Sequence, residues 1–232
     1  MTTYLNRTDE QLKSAIDDEL GWTPNVTATH VGVGVNHGAV TLSGEVASYP
    51  ERHLAVKAAQ RVRGVTAVAD EMTVQTVWAN TNDTDVAREA GEALDRAVDV
   101  PDASITAEVT DHVVTLRGQV AWQYQREAAH RAVRYLRGVT NVHNLVSVKP
   151  IVSAVGVKSS IDAALLRNAL LETKSMKVTA DGAGEVTLEG HVHSWTESTQ
   201  AEQLAWSAPG VTGVINHLHI EYCAPRPPRE SP

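Results

Sequence analysis

Three nearly identical nine-residue stretches decide the fold of this chain: GAVTLSGEV at 38–46, HVVTLRGQV at 112–120 and GEVTLEGHV at 184–192. In the first of them, the apolar side chains of Val40, Leu42 and Val46 alternate with polar ones. A period of two predicts a β-strand with one buried face. The recurrence predicts that the chain is one domain written three times.

Two glycines recur at a fixed spacing in every copy. The first of each pair is Gly44, Gly118 or Gly190, and the second follows 20 residues later as Gly64, Gly138 or Gly210. The first glycine falls on the apolar side of its strand, where we expect the missing side chain to let a covering helix approach closely. The second ends a helical pattern, and we interpret it as a C-cap.

Other elements can be placed around the repeated strand. An apolar segment and hairpin-type residues (NHG, TDH and DGAG) precede it and predict a partner strand. A helix follows, with a capping box at Ser48 and Glu51 in copy one and at Ser194 and Glu197 in copy three. Copy two has Trp122 and Gln125 at those places. Another alternating strand closes each copy.

Each copy also begins with an amphipathic helix. Its apolar stripe is Leu12, Ile16 and Leu20 in copy one, and Val86, Ala90 and Leu94 in copy two. In copy three the stripe is shifted by about one residue. The prediction is an α+β protein of three tandem αββαβ domains, each with two helices on one face of a three-stranded sheet. We place the domains at 1–79, 80–151 and 152–223, followed by a flexible Pro-rich tail at 224–232.

A polar residue interrupts the apolar side of each last strand, at Asp70, Asn144 and Asn216. We expect a bulge there, or a bond from the side chain to the backbone, and not a catalytic group.

Composition limits the possible functions. The 232 residues carry a net charge of −8, which disfavours nonspecific attraction to nucleic acid or to anionic membranes. The single cysteine, Cys223, excludes an internal disulfide and a thiolate zinc knuckle. The sequence has no apolar run of about 20 residues and does not begin like a secretory signal, so we expect a cytoplasmic protein.

The helix, the V-x-L-x-G-x-V strand and the helix ending in G-V-x-x-V together resemble the BON domain (bacterial OsmY and nodulation). The resemblance covers all three copies. It implies an αββαβ sandwich, no known catalytic site, and roles in osmotic or envelope stress. It also implies attachment to phospholipid or to membrane-associated partners. With about 72 residues per copy, each core is small, so we also expect the copies to contact one another.

Basic residues cluster on the second helices of copies one and two. They are Arg52, Lys57, Arg61 and Arg63 in copy one, and Arg126, Arg131, Arg134 and Arg137 in copy two. They are candidates for contact with phosphate groups of anionic lipid. The alternative is a solvated helix face whose arginines stabilise the helix C-terminus.

Copy three carries a histidine set of its own: His191 and His193 on one strand, and His217 and His219 on the other. Residues two apart share one side of a strand, so all four are predicted on the open sheet face. If the strands are neighbours, these histidines are a candidate site for zinc, nickel or copper. The alternative is an ordinary solvated sheet face.

The tryptophans have two interpretations. Trp195 and Trp206 flank the second helix of copy three and are predicted as core residues, with a membrane or partner contact as the alternative. Trp78 is predicted to pack at the junction between copies one and two.

The functional prediction is a non-enzymatic, stress-associated binding protein with no cofactor. Its expected partner is anionic phospholipid or a membrane-associated protein, with self-association as a further option. The alternatives are a metal-binding module formed by the copy-three histidines and, more weakly, a nucleic-acid binder, which would need a basic stripe or stacking aromatics on a sheet.

Overall fold

The computed structural model describes residues 7–75, 81–149, 156–167 and 176–221. Copy one contains α1 (Asp9–Trp22), a single 3-10 turn (Ala28–His30), β1 (Val31–Asn36), β2 (Ala39–Val46), α2 (Tyr49–Arg61) and β3 (Ala67–Val74). Copy two contains α3 (Asp83–Arg96), β4 (Ile105–Thr110), β5 (Val113–Val120), α4 (Gln123–Val133), β6 (Asn141–Asn144) and β7 (Ser147–Val148). Copy three contains α5 (Val157–Arg167), β8 (Met176–Ala180), β9 (Glu185–Val192), α6 (Trp195–Trp206) and β10 (Gly213–Ile220).

The repeated nonamer is the central strand of every sheet. It pairs antiparallel with the strand before it and parallel with the strand after it, in the order β1-β2-β3 and its equivalents. The tight turn between the first two strands is His37–Gly38 in copy one, where both residues have positive φ (50° and 81°). That geometry is what a two-residue type I′ hairpin requires. The predicted αββαβ fold is confirmed.

The first helix of each copy covers the sheet through the predicted stripe. Leu12, Ile16 and Leu20 are at most 2% exposed and pack against Leu42 of the central strand. Val86, Ala90 and Leu94 occupy the same places in the core of copy two. In copy three the stripe is Val157, Ile161 and Leu165, which confirms the predicted shift.

The reason why the central strand requires a glycine differs from the predicted one. Gly118 has a φ of +146°, and a Cβ built on it would lie 2.1 Å from the carbonyl oxygen of Ser104. Gly44, with a φ of +115°, has the same relation to His30 at 2.2 Å. The close neighbour is therefore the backbone that enters the adjacent strand, so the expectation of a covering helix was wrong. Alternation identifies the face on which a residue lies, but it does not show which backbone passes beside it.

The second glycine of each pair lies in the turn after the helix. Gly64, Gly138 and Gly210 all have positive φ (111°, 82° and 90°). The C-caps themselves are Val62 in copy one and Arg134 in copy two. The glycines lie two to four residues beyond the C-caps, so the prediction that they are the C-caps was wrong. They are needed instead for a left-handed turn after each helix.

The polar residue of the last strand bonds to backbone in all three copies, as predicted. The side-chain oxygens of Asp70, Asn144 and Asn216 each accept a hydrogen bond from the backbone N–H two residues on, at 3.1–3.3 Å. The remaining polar atom of each side chain reaches the second helix of the same copy. Asp70 contacts the Arg52 guanidinium and Asn144 donates to the Arg126 carbonyl, both at 2.9 Å. These bonds connect each second helix to the last strand of its sheet.

The serine half of each predicted capping box forms. The glutamate half does not, because the Glu51 and Glu197 side chains accept from the backbone N–H groups of Ala47 and His193, one residue before the N-cap. Ser48 and Ser194 accept hydrogen bonds from the backbone N–H groups of Glu51 and Glu197. In copy two the Gln125 side chain accepts instead from the backbone N–H of Trp122, at 3.0 Å. Each second helix therefore begins at an equivalent position, which places the following side chains in the same arrangement in every copy.

Candidate functional site

The second helices of the three copies contact one another. Tyr49, the first residue of α2, packs edge to face on His130 of α4, with ring centroids 6.2 Å apart. Its hydroxyl lies 3.4 Å from the His130 Nε2 atom. One copy further along, Gln123 begins α4 and shares an open cleft of about 420 Å³ with Trp206 of α6. Trp195 begins α6 and donates its indole N–H to the Val65 carbonyl of copy one at 3.0 Å.

These contacts form a closed ring of three repeats. The start of each second helix meets the later part of the next copy's second helix or the turn that follows it. A head-to-tail interface of this kind closes when its rotation returns to the first unit. The expectation that the copies contact one another is confirmed.

The ring brings the two basic helices together along one interface, here called the seam. The seam consists of Tyr49, Arg52, His53 and Lys57 on α2, and of Arg126, Glu127 and His130 on α4 together with Arg134 at the C-cap of α4. Four of these side chains are cationic and one is acidic. Asp70 adds a second carboxylate, which is paired with Arg52 at 2.9 Å. Lys57 of one predicted basic face and Arg134 of the other thus both act on His53, in a surface that also carries carboxylates.

The environment of the seam shifts the pKa values of three of its residues. Burial lowers the pKa of His53, and the positive charges of Lys57 and Arg134 lower it further, against an opposing contribution from Glu127. Burial lowers the pKa of His130 as well, again assisted by Arg134 and by Arg126. The pKa of Tyr49 is raised by burial, which outweighs the opposing effect of Arg52 and Arg134. Both histidines are therefore disfavoured as cations, first because they are partly buried and second because cations lie close by.

The seam cations differ in how many of their N–H donors have hydrogen-bond partners within the protein. Arg134 stacks on the Tyr135 ring, with 4.7 Å from its guanidinium carbon to the ring centroid, and donates to the hydroxyl of Tyr135. Its buried Nε atom has no hydrogen-bond partner among the described residues. Arg126 donates to the Asn144 carbonyl at 3.4 Å. Lys57 is exposed.

The other predicted basic residues lie outside the seam. Arg61 pairs with Glu19 of α1 at 2.8 Å. Arg131 lies 3.8 Å from the carboxylate of Asp99. Arg63 and Arg137 are exposed and follow α2 and α4. The structure therefore brings together four of the eight predicted phosphate contacts, and anion binding by any of them stays a prediction.

The copy-three histidines do not converge into one site. Within the described ranges, no group of three or more metal-ligating side chains could hold an ion. His191 and His219 are opposite each other, with ring centroids 5.9 Å apart, but His217 is opposite Glu189. His193 lies beyond the end of β9 and bonds to the Glu221 carbonyl at 3.1 Å. The parallel register thus separates the predicted four-histidine set into one pair and two single residues.

Trp195 and Trp206 of copy three both contact other repeats of the ring. Trp206 packs against the apolar cores of both copy two and copy three. Together with the bond from Trp195 to copy one, this makes both residues contacts between repeats. Trp78, Cys223 and the tail at 224–232 lie outside the described residues.

Tyr49, His53 and His130 were not identified from the sequence. None belongs to a motif, and Tyr49 and His130 are 81 positions apart. The only available signal was that each lies on a second helix that also carries several cations.

The seam histidines predict a pH-dependent stability. As the pH falls below about 6.5, the unfolded chain binds protons at His53 and His130 before the folded chain does. The free energy of unfolding should therefore decrease as the pH falls through this range. Thermal unfolding followed by circular dichroism between about pH 7.5 and 5.5 measures the change. A His53→Gln/His130→Gln variant should show a flatter profile, and an unchanged profile would contradict the assignment.

No helix among the described residues has the length and apolar character needed to cross a membrane.

The fold and the ring define a repeat protein built from three αββαβ domains. The chain belongs to the BON domain family, whose model matches residues 8–76, 82–150 and 154–222. It is 33% identical over 144 residues to the osmotically-inducible protein Y of Escherichia coli (strain K12), a match that covers 60% of this chain and 70% of that protein.

The C-terminal domain of CdsD, a structural protein of the type III secretion system of Chlamydia trachomatis, is 14% identical, with 93% of this chain and 100% of that chain covered and a TM-score of 0.26. A second CdsD structure is 15% identical, with 90% and 91% coverage and the same TM-score. TM-scores this low do not establish a shared fold.

Proposed function

We propose that this protein is a non-enzymatic binding protein of the osmotic stress response that attaches to anionic phospholipid surfaces through the seam. The association with osmotic stress is supported by the similarity to the osmotically-inducible protein Y. The binding site is supported by one observation above all, the packing of α2 against α4, which collects four cations on one surface of an acidic chain.

The charges of the seam are suited to phosphate. A cation close to an anionic membrane contributes about 1 kcal/mol of binding free energy, so a collected set is needed for useful affinity. The planar guanidinium groups of the seam arginines are well matched to phosphate oxygens. Tyr135, which stacks on Arg134, is 63% exposed. An amphipathic ring beside a cation is a typical side chain of the lipid–water interface.

Charge removal at the seam should weaken attachment selectively. We expect a Lys57→Gln/Arg134→Gln variant to lose about 2 kcal/mol, or about thirtyfold in affinity, for phosphatidylglycerol vesicles. The matched control is Arg61→Gln/Arg131→Gln, which removes the same charge from residues on the same helices that have partners elsewhere. The control should lose less than about threefold, since these two guanidinium groups already lie beside carboxylates of the chain. Sedimentation with phosphatidylglycerol and with phosphatidylcholine vesicles measures both variants.

The vesicle experiment needs a check that the double variant is folded and a second variant at an exposed residue. Arg134 is partly buried, so circular dichroism must show that the double variant is folded. Lys57 is exposed, and Lys57→Gln alone should still cost about fivefold. Equal losses in the seam variant and in the control would contradict the proposed site. The absence of binding to either lipid would overturn the lipid proposal and favour a protein partner.

A further inference from the structure

We infer that attachment of an anionic surface at the seam is coupled to proton uptake by His53 and His130, so that binding tightens as the pH falls below neutrality. This inference rests on the proposed function and adds a mode of regulation to the same site. It assigns a role to two half-buried histidines that simple charge attraction does not use.

The geometry places both histidines among the seam cations. His53 lies on α2 and His130 on α4, and the Tyr49 ring contacts His130 from the opposite helix. The charged and titratable groups around them are Tyr49, Arg52 and Lys57 from α2, Arg126 and Glu127 from α4, Arg134 at the C-cap of α4, Asp70 from β3, and Glu202 from α6 across the cleft. A bound anion that reaches Lys57 and Arg134 is therefore also close to both imidazoles.

In the free protein the seam keeps these histidines neutral. Burial is the largest cause, and the neighbouring cations act in the same direction on both residues. Glu127 opposes this effect at His53, but it does not outweigh burial and the neighbouring cations together. The pKa values of both histidines therefore lie below their usual range, mainly through burial and in part through the neighbouring cations.

A bound phosphate surface offsets the part of this effect that comes from the neighbouring cations, although not the part that comes from burial. Its negative charge offsets Lys57, Arg126 and Arg134, and a protonated imidazole gains N–H donors for phosphate oxygens. The histidine pKa values should then rise on binding. By linkage, a ligand that raises the proton affinity of a site binds more tightly when that site is protonated. The slope of the logarithm of the affinity against pH equals the number of protons taken up, which is at most two here.

The net charge of the whole chain provides a competing explanation for tighter binding at lower pH. The chain has a net charge of −8 and ten histidines, so any loss of negative charge at lower pH favours an anionic surface. The test must therefore separate two particular histidines from the rest. His217 and His219, both exposed on the open sheet face of copy three, provide the matched control.

The experiment compares affinities for equimolar phosphatidylglycerol and phosphatidylcholine vesicles at about pH 7.5 and about pH 6, on either side of the ordinary histidine pKa. We expect the wild type to gain up to about tenfold per pH unit for each proton taken up. The ratio of the two affinities should fall towards one in His53→Gln/His130→Gln. It should stay at the wild-type value in His217→Gln/His219→Gln.

A direct measurement covers the case in which the seam variant does not fold. The C2–H resonances of the wild-type histidines can be titrated by NMR with and without a short-chain, micelle-forming phosphatidylglycerol. The pKa values of His53 and His130 should rise when the lipid is present.

The outcomes separate the two proposals. Anionic-selective binding whose pH ratio is unchanged in the seam variant, or lipid-bound histidines whose pKa values do not move, would overturn the proton coupling and leave the proposed function standing. The absence of vesicle binding at both pH values would overturn the proposed function and the coupling together.

Discussion

The Gly118→Ala variant is expected to lose about 3–5 kcal/mol of stability in the second repeat, the sum of a strained left-handed residue and an overpacked contact. The residue has a φ of +146°, and the new Cβ would lie 2.1 Å from the Ser104 carbonyl oxygen. Because that oxygen belongs to the backbone, it cannot move aside without shifting the start of β4. Urea unfolding followed by circular dichroism measures the loss.

Gly91→Ala is the matched control for this substitution. Gly91 lies within α3, and no heavy atom lies within 4 Å of a Cβ built on it. Alanine there should raise the stability by up to about 1 kcal/mol, because glycine is a poor helix former. If Gly118→Ala were no more harmful than Gly91→Ala, the close approach of the Ser104 carbonyl would not be the reason for the glycine.

Trp206→Ala is expected to have the second large effect, a loss of about 3 kcal/mol, within the range for removal of a large aromatic side chain from a core. Trp206 packs against the cores of copies two and three at once, so its removal should weaken both and open the ring between them. Differential scanning calorimetry measures this, because a ring that opens should split one unfolding transition into separate ones.

Trp22→Ala provides the control for the loss of an aromatic residue. Trp22 ends α1 and is 84% exposed, so its removal should change the stability by no more than about 0.5 kcal/mol. A small effect of Trp206→Ala, similar to that of the control, would mean that the repeats are stable without the contact between copies two and three.

Ring closure gives a physical reason for linking three small domains in one chain. Each repeat has its own apolar core, but a domain of this size buries a limited area. The contacts made by Tyr49, Trp195 and Trp206 add buried surface that a separate repeat would lack. The Tyr49 contact also places the start of α2 beside the later part of α4, so one arrangement both supports the fold and forms the candidate site.

Much of each domain was predictable because its signals are local. The alternation around Leu42 identified a strand, the turn residues His37 and Gly38 identified its hairpin, and the four-residue spacing from Leu12 to Ile16 identified a helix face. The side-chain bonds of Asn216 and its equivalents were predictable for the same reason. In each case the residues that determine the structure are near neighbours in the sequence.

The sequence by itself determined the repeat, the order of the elements and the residues of each core. The tertiary structure decided that the Ser104 carbonyl lies beside Gly118, that the copy-three histidines separate by register, and that α2 and α4 form one seam. These features depend on contacts between distant residues, such as Tyr49 with His130 and Trp195 with Val65, which are 81 and 130 positions apart. Periodicity shows which side of an element is buried, but only packing determines which element covers it.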